Sequence, residues 1–474
     1  MRQARLFVAG EWTDGTTTSD VLDKFTGEPM AVLHHASRAQ VERATAAVAD
    51  AQATVLPPAH ERARILARAA QLLAERKVAV AETIVAEAGF TVGDTAREID
   101  RAVQTLTLCA EEAGRIHGEM VPLDSSPAGA GRLAFTIRRP VGVVCAITPF
   151  NSPLNTVLHK VGPAIAAGNG VVLKPATYTP LTGQHIVEIL LDAGLPSNLI
   201  ALLHGGGSTV GAWLLEDPRP SFYAFTGSTE VGEHIRATVG LRRSQLEMGS
   251  LSSTIVCADA DVPRAVGRCL EGAFRKSGQI CTSVQRLYLQ DGIYDEFADA
   301  LVAALADRRG GDPRDDKSFI GPLISLGDAE RVANWIESAA DAGAKVLTGG
   351  TRTDRVVQPT VLADVAPDTD VMCREVFGPV VSLRRFGSVD EAVTEADDTP
   401  YGLALGIFTD SLETALATAE RMRVGSVHVN ETSNSRLDVM PYTGLKASGM
   451  GREGPRYAIE EMTEETLVTF SRRP

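Results

Sequence analysis

From about residue 138 onward, short apolar runs alternate with stretches of helical spacing, and this alternation limits the possible folds more than any other feature. Buried strands alternating with helices are typical of a parallel α/β sheet. The pattern occurs twice, which predicts two successive α/β units. The predicted strands of the first unit are 141–147, 170–173, 200–203 and 222–225, and those of the second are 251–257, 283–289, 344–348, 380–386 and 402–408.

The rest of the chain has a different character. Residues 38–55 and 59–117 show apolar positions at helical spacing and predict consecutive amphipathic helices. Residues 117–139 predict a hairpin inserted in the first unit, and 466–470 predict one more strand. Because exposed strand edges usually find partners, we expect these two segments to carry the contacts of a homodimer or homotetramer.

Composition excludes several classes of protein. A chain of 474 residues is too long for one small core. Its formal charge of -14, with no basic stripe, argues against a nucleic-acid partner. No apolar run approaches about 18 residues and no signal peptide is visible, so we expect no membrane span and a cytoplasmic location. The six cysteines show no Cys-x-x-Cys spacing and no grouping with histidine, which predicts neither a metal site nor disulfides.

Three residues form a candidate catalytic set. Cys281 lies in a Gly-Gln-Ile-Cys turn that can present a thiol to a cleft. Asn151 follows a predicted buried strand, where its amide can donate to a developing oxyanion, although an Asx-turn or helix cap is an alternative role. Glu247 lies in an apolar turn, and burial would raise its pKa as a general base requires. The alternative for Glu247 is a solvated surface charge.

A second group suits a nucleotide. Lys174 lies at the carboxyl end of a predicted strand, where nucleotides bind, although Lys-Pro is also a common surface turn. The turn from Gly227 through Ser228 to Gly232 begins a helix whose free N–H groups suit a pyrophosphate, but it is not a G-x-G-x-x-G motif.

Glu375 and Phe377 complete the nucleotide group. The carboxylate of Glu375 could accept hydrogen bonds from two ribose hydroxyls, and Phe377 offers a flat face. The alternative for Glu375 is a surface ion pair.

Taken in order, these motifs and the closing Lys446-Ala-Ser-Gly-Met-Gly-Arg-Glu453 segment resemble the aldehyde dehydrogenase superfamily over nearly the whole chain. The resemblance implies an α/β fold with three parts. These are a Rossmann-like cofactor domain (1–116 and 140–248), a catalytic α/β domain (249–453), and a small β flap and tail for oligomerisation (117–139 and 454–474).

The resemblance also implies a reaction. An aldehyde would be oxidised to the carboxylic acid with NADP or NAD through a thiohemiacetal and a thioester on Cys281. Asn151 and the Cys281 backbone N–H would form the oxyanion hole, and Glu247 would be the base. The implied cofactor-binding residues are Ile147, Thr148, Lys174, Thr177, Gly227, Ser228, Gly232, Glu375 and Phe377.

Two departures from the family pattern lie near the expected cleft. The usual Glu-Leu-Gly-Gly reads Glu247-Met-Gly-Ser250, and Thr443 stands where the family usually has glycine. Neither change removes a catalytic group, so their effect stays open.

The closing stretch resembles the branch of lactaldehyde, phosphonoacetaldehyde and non-phosphorylating glyceraldehyde-3-phosphate dehydrogenases. This predicts a small anionic aldehyde of the lactaldehyde, phosphonoacetaldehyde or semialdehyde type, held by Arg101 and Arg436. Ile280 and Ser152 replace residues that favour a phosphate in those relatives. Arg101 could instead form a helix-surface salt bridge, and Arg436 could be a structural anchor.

Two other functions use similar residues. A cysteine acyl hydrolase would need a histidine base, and no histidine lies in the motifs around Cys281. A CoA-acylating aldehyde dehydrogenase is the second alternative. Because Glu247 supplies a base for hydrolysis, the free acid is the favoured product.

Cofactor preference depends on the residue three positions after Lys174. Relatives that are specific for NAD commonly have glutamate there, which repels a 2′-phosphate. This chain has Thr177, which removes that charge and can donate a hydrogen bond. We therefore expect NADP to be accepted and NAD not to be excluded.

Overall fold

The computed structural model describes residues 1–471. The amino-terminal part contains five strands and four helices, namely β1 (Arg2–Ala4), β2 (Leu6–Val8), β3 (Glu11–Thr13), β4 (Thr17–Leu22), β5 (Pro29–His35), α1 (Arg38–Thr54), α2 (Ala59–Glu75), α3 (Lys77–Ala88) and α4 (Val92–Ala113). The predicted helical segments 38–55 and 59–117 are therefore one and three helices. α1 begins at a capping box between Ser37 and Gln40, and α2 packs its apolar stripe against α4.

The first α/β unit follows a short hairpin, and its elements are β6 (Met120–Val121), β7 (Arg132–Pro140), β8 (Val143–Ile147), α5 (Asn155–Ala167), β9 (Gly170–Lys174), α6 (Pro180–Asp192), β10 (Ile200–Leu202), α7 (Ala212–Glu216), β11 (Pro220–Thr226), α8 (Thr229–Val239) and β12 (Arg243–Glu247). The single helix predicted over 207–215 is wrong in detail, because a π-helical turn (Gly207–Gly211) precedes α7. Three consecutive glycines, at positions 205–207, weaken the regular α-helix at this point.

The remaining elements form the second α/β unit and the tail, namely β13 (Ser253–Val256), α9 (Val262–Phe274), β14 (Arg286–Gln290), α10 (Tyr294–Leu305), β15 (Arg309–Gly310), β16 (Ser318–Ile320), α11 (Leu326–Asp341), β17 (Lys345–Thr348), β18 (Arg352–Thr353), β19 (Val356–Val357), β20 (Thr360–Ala363), α12 (Asp370–Cys373), β21 (Val380–Phe386), α13 (Val389–Asp397), β22 (Tyr401–Gly402), β23 (Ala404–Phe408), α14 (Leu412–Arg421), β24 (Ser426–Val429), β25 (Leu445–Lys446), β26 (Gly449–Met450), α15 (Pro455–Glu461) and β27 (Thr463–Ser471).

Two large sheets form the framework. The first has the strand order β26-β12-β11-β8-β9-β10-β2-β3, with a parallel centre from β12 to β10. The second has the order β17-β20-β21-β14-β13-β23-β24 and is parallel except for β17. The sequence did not indicate that β2 and β3 extend the first sheet, while β1, β4 and β5 form a separate sheet.

Two late segments of the chain return to the first unit. β26 pairs antiparallel with β12, so that Gly449 lies opposite Glu247. β27 pairs with β7 over nine residues, and with β6 they form a three-stranded sheet.

Residues 472–474 of the predicted tail lie outside the described part. Within residues 1–471, no helix has both the length and the apolar composition that a membrane crossing requires.

Candidate active site

Cys281 lies in the loop between α9 and β14, and an unusual backbone turn presents it. Lys276, Ser277 and Gly278 have consecutive positive φ angles of 51°, 58° and 70°. A left-handed backbone at non-glycine residues persists only where the surroundings hold it. The Ser277 hydroxyl donates to the Gly321 carbonyl at 2.8 Å, and a Cβ on Gly278 would lie 2.1 Å from the Gly378 oxygen. The turn leaves Cys281 partly exposed to the cleft.

Lys276 joins the cysteine loop to the asparagine loop. Its buried ammonium group donates to Glu98 Oε2 at 2.5 Å, to the Asn151 carbonyl at 2.9 Å and to Ser152 Oγ at 2.8 Å. The other oxygen of Glu98 accepts the backbone N–H groups of Leu154 and its neighbour at the start of α5. This lysine was missed from the sequence, because nothing in the local pattern separates it from a surface lysine.

Asn151 follows β8 and lies beside the cysteine loop. Its side chain is buried, and within residues 1–471 its amide makes no hydrogen bond. Asn151 and Cys281 line the same two cavities, of about 90 Å³ and about 370 Å³. We call them the small cavity and the large cavity. An amide held in this position by its own backbone is free to donate to an oxygen atom in either cavity.

Glu247 lies at the end of β12 and lines the small cavity with Cys281. Its side chain is buried, and neither carboxylate oxygen has a hydrogen-bond partner in the described residues. Burial raises the pKa of Glu247 well above its ordinary value, and the negative charge of Glu453 raises it further. A carboxylate in this state is a stronger base than one in water.

A buried ion cluster stands behind Glu247. Glu453 accepts from Lys160 Nζ at 2.5 Å and from Arg436 Nη2 at 2.8 Å. Burial alone would raise the pKa of Glu453, but the charges of Lys160 and Arg436 hold it below its ordinary value. Glu453 is therefore kept ionised, while the neighbouring Glu247 takes up a proton more readily. The sequence did not indicate the role of Lys160 or Glu453.

Three arginines line the small cavity. Arg101 forms a bidentate pair with Asp438 at 3.1 and 2.7 Å, so it is not a helix-surface salt bridge. Arg436 is held by Glu453 and lies over the Tyr442 ring at 3.8 Å. Arg275, which the sequence analysis missed, donates no hydrogen bond within the described residues. An Asp94 carboxylate oxygen lies 3.9 Å from its Nε.

The large cavity is lined by apolar and aromatic groups on one side of Cys281. Phe377, with a φ of 47°, packs its ring edge-to-face with Phe150 at 5.8 Å. Glu375 accepts the Ser250 N–H at 3.2 Å, and burial raises its pKa to about 7. A Cβ on Gly249 would lie 3.1 Å from the Glu375 carboxylate. A flat apolar cavity with one carboxylate fits a nicotinamide and its ribose.

Other predicted cofactor residues surround this cavity. Thr148, Gly227 and Ser228 line it, and Ser228 also caps α8 by accepting the Val231 N–H at 3.4 Å. Gly232 packs against Met248, where a Cβ would lie 2.1 Å from the sulfur.

Lys174, Ile147 and Thr177 lie outside the lining of the large cavity. Lys174 ends β9 directly opposite Ile147 on β8, and Thr177 follows in the next loop. Burial lowers the pKa of Lys174 to about 8. Ile147 directly precedes Thr148, which lines the cavity, and Lys174 ends the neighbouring strand, where a longer ligand would continue.

The two departures from the family pattern have structural roles. Ser250 Oγ lies 2.8 Å from Ser252 Oγ, and Ser252 donates to the Cys281 carbonyl at 3.1 Å. Thr443 donates to the Gly451 carbonyl at 2.6 Å. The added hydroxyls therefore bond within the loop that follows Glu247 and within the closing motif. Among the described residues, no group of acidic, histidine or cysteine side chains could hold a metal ion.

Comparison with known proteins agrees with this geometry. The model of the aldehyde dehydrogenase family matches residues 12–468. A 3-sulfolactaldehyde dehydrogenase of Priestia megaterium is 43% identical over 471 residues, covering 99% of this chain and 98% of the relative. The family predicted from the motifs is thereby confirmed.

Solved structures confirm the predicted fold. The NADP-dependent glyceraldehyde-3-phosphate dehydrogenase of Bacillus halodurans C-125, complexed with NADP, superposes with a TM-score of 0.97 at 33% identity, covering 99% of this chain and 100% of that one. Aldehyde dehydrogenase 21 of Physcomitrella patens, in complex with the reaction product succinate, has a TM-score of 0.96 at 34% identity, covering 99% and 98%.

Proposed function

This chain belongs to the aldehyde dehydrogenase family, and from that premise we propose that it oxidises a short aldehyde carrying a sulfonate or carboxylate group. The enzyme is an NAD(P)-dependent aldehyde dehydrogenase. The observation that carries the proposed substrate class is Arg275, a guanidinium without a hydrogen-bonded partner in the described residues that lines the same small cavity as Cys281.

Charge in the small cavity favours an anion. Arg101 and Arg436 are each neutralised by a buried carboxylate, from Asp438 and Glu453. Arg275 has no such close partner, and the raised pKa of Glu247 favours its neutral form. The cavity therefore offers one guanidinium that donates no hydrogen bond in the described residues, and it can form charge-assisted hydrogen bonds to an anionic group. A volume of about 90 Å³ favours a short carbon chain.

The relatives support a particular type of substrate. The Priestia megaterium relative is a 3-sulfolactaldehyde dehydrogenase, and the Physcomitrella patens structure holds succinate as its product. Both names refer to small anionic compounds. We therefore place 3-sulfolactaldehyde first among the substrates to test and succinate semialdehyde second.

Cys281, Asn151 and Glu247 each have a separate role in the proposed reaction. The Cys281 thiolate attacks the aldehyde carbon, and the new oxyanion accepts hydrogen bonds from the Asn151 amide and the Cys281 N–H. NAD(P), held in the large cavity by Glu375 and Phe377, would supply the hydride acceptor. Glu247 then takes a proton from water, which attacks the thioester and releases the Cys281 thiolate and the acid. The buried base beside Cys281 favours hydrolysis over transfer to CoA.

We also propose a homodimer or homotetramer assembled through the β6-β7-β27 sheet. Leu133, Leu467 and Phe470 are each about half exposed on this sheet, at 50%, 55% and 54%. Exposed apolar groups of this size on a sheet commonly mark an interface. Light scattering of the wild type and of Leu467→Ser should show a smaller particle for the variant.

A cytoplasmic location fits the free thiols of all six cysteines.

The decisive test is a panel of aldehydes. The values of kcat/KM are measured for 3-sulfolactaldehyde, succinate semialdehyde, phosphonoacetaldehyde, lactaldehyde and benzaldehyde, each with NAD and NADP. We expect the anionic aldehydes to be favoured. Arg275→Gln should raise KM for the best anionic aldehyde by roughly 10- to 100-fold, because a hydrogen bond to a charged group is lost, and should spare benzaldehyde.

Arg97→Gln is the matched control. Arg97 lies on α4 close to the same Asp94 but outside the small cavity, and its side chain is 53% exposed. The control removes one positive charge near Asp94 without removing a side chain that lines the small cavity. Equal effects of Arg275→Gln on benzaldehyde and on the anionic aldehydes would reject the proposed substrate class.

A further inference from the structure

The sulfur of Cys281 has one side-chain hydrogen-bond partner within residues 1–471. Tyr442 Oη lies 3.1 Å from Sγ, within hydrogen-bonding distance. The two residues are separated by 161 positions in the chain, and Tyr442 is buried. Glu247 lines the same cavity, but its carboxylate makes no hydrogen bond to the thiol. No histidine lines either cavity. The thiolate therefore needs a hydrogen-bond donor, and the phenol is in place.

Arg436 prepares this phenol as a donor. Its guanidinium lies over the Tyr442 ring at 3.8 Å and is held there by Glu453. A cation over the ring face draws electron density from the ring and strengthens the O–H as a donor. Burial raises the pKa of Tyr442 well above its ordinary value, so the hydroxyl keeps its proton at neutral pH. Both conditions for donating to an anion are met.

We propose that Tyr442 is a catalytic residue whose hydroxyl donates a hydrogen bond to the Cys281 thiolate and so favours its formation. The inference rests on the proposed use of Cys281 as nucleophile. The thiol proton passes to water in the cleft, giving a thiolate and a hydronium ion, and Tyr442 keeps its own proton throughout. Arg436 acts through the ring and positions the phenol.

The hydrogen bond from Tyr442 counteracts the effect of burial on the Cys281 thiol. Burial raises the pKa of Cys281 to about 11, and the hydrogen bond from Tyr442 is the largest influence that lowers it. A hydrogen bond to a charged group shifts such an equilibrium by about one to two pKa units. Without the phenol, the reactive thiolate would be about ten times scarcer or more.

The test measures the thiolate without any aldehyde. The rate of iodoacetamide alkylation of Cys281 is followed as a function of pH in the wild type and in Tyr442→Phe, with the labelled peptide quantified by mass spectrometry. This excludes labelling of the exposed Cys373. The variant should show an apparent pKa higher by about one unit or more. An unchanged pH profile overturns the proposal.

A matched control and a second variant secure the interpretation. Tyr294 lies beneath Arg385 at 3.9 Å, away from both cavities, so Tyr294→Phe should leave the alkylation profile unchanged. Replacing Tyr442 with 3-fluorotyrosine keeps the shape and makes the phenol more acidic, and should lower the apparent pKa of Cys281. This arm decides the question even if Tyr442→Phe does not fold. An unchanged or higher value would overturn the proposal.

Kinetics separate this inference from the proposed substrate class. With any aldehyde that is turned over, Tyr442→Phe should slow the initial burst of reduced cofactor about tenfold and leave the later hydrolytic phase unchanged. A purely structural role would change both phases and lower the thermal midpoint. The alkylation result stands whichever aldehyde the enzyme prefers, so the two proposals fail independently.

Discussion

The two cavities that meet at Cys281 are built by different means. The small cavity is lined by charged groups, and buried ion pairs stand around it, such as Lys276 with Glu98 and Arg101 with Asp438. The large cavity, about four times greater in volume, is lined mostly by apolar and aromatic groups. The first offers charged groups to a ligand and the second offers a mainly apolar surface.

This difference has an energetic consequence. A buried charge that loses its partner is costly, whereas an apolar wall tolerates modest changes of shape. Substitutions in the buried ion pairs around the small cavity should therefore affect stability and catalysis together. Substitutions at the cofactor end should change affinity for one ligand and leave the fold intact.

The sharpest test of the division is Cys281→Ser, because this residue belongs to both cavities. A serine hydroxyl is far less acidic than a thiol, so turnover should fall by more than about 10⁴-fold. Binding of NADP, measured by calorimetry, should stay within about threefold of wild type. Substantial turnover in the variant would refute the assigned nucleophile, and loss of NADP binding would refute the separation of the two ends.

Glu247→Gln removes the base from the small cavity. Turnover should fall by roughly 10²–10⁴-fold, with a normal burst of reduced cofactor followed by a slow phase. In the wild type, the base works only when deprotonated, so turnover should fall as pH drops through the raised pKa of Glu247. The variant should lose this acidic limb. If both phases match wild type at every pH, the base lies elsewhere.

Lys276→Met tests whether the ion pairs of the small cavity are structural. It leaves Glu98 buried without its cation, and breaking such a pair costs about 3–5 kcal/mol. Urea unfolding should report this loss, together with slower turnover because the Asn151 carbonyl loses its donor. Lys345→Met, which breaks an exposed pair with Asp364, is the control and should change little. Equal stability of the two variants would contradict the comparison.

The smallest expected effect is at the cofactor end. Thr177→Glu places a negative charge beside Lys174, where it would repel a 2′-phosphate. We expect kcat/KM with NADP to fall by roughly tenfold or more, which corresponds to about 1.4 kcal/mol of lost transition-state stabilisation. The value with NAD should change little. Stability should be unaffected. Unchanged use of NADP would show that Thr177 does not face the 2′ position.

Motifs that act through local geometry could be predicted. Cys281, Glu247, Glu375 and Phe377 each belong to a short motif that can be recognised in the sequence, and the structure brings all four to the two cavities, although Glu247 ends β12 and does not lie in the predicted turn. The alternation of strands and helices also predicted the two α/β units, but β12, β20 and β24 were not among the predicted strands. The order of strands could not be predicted, because β2, β3 and β26 join the first sheet from distant parts of the chain.

Residues that act through distant partners could not be predicted. Lys276 and Glu98 are 178 positions apart, and Arg101 and Asp438 are 337 apart. The sequence does not show whether a given lysine or arginine is solvated or buried. Arg275 and Tyr442 were missed for this reason, since only packing shows which groups face a cavity.

The amino-acid sequence by itself determined the family and the α/β class and indicated Cys281 as the candidate nucleophile, because these depend on short motifs and on the period of apolar residues along the chain. Only the tertiary structure decided which charges are paired, which guanidinium in the small cavity donates no hydrogen bond in the described residues, and which hydroxyl reaches the thiol. Those properties depend on burial and on distances between remote residues, and electrostatic interactions become strong only where folding has removed the water between them.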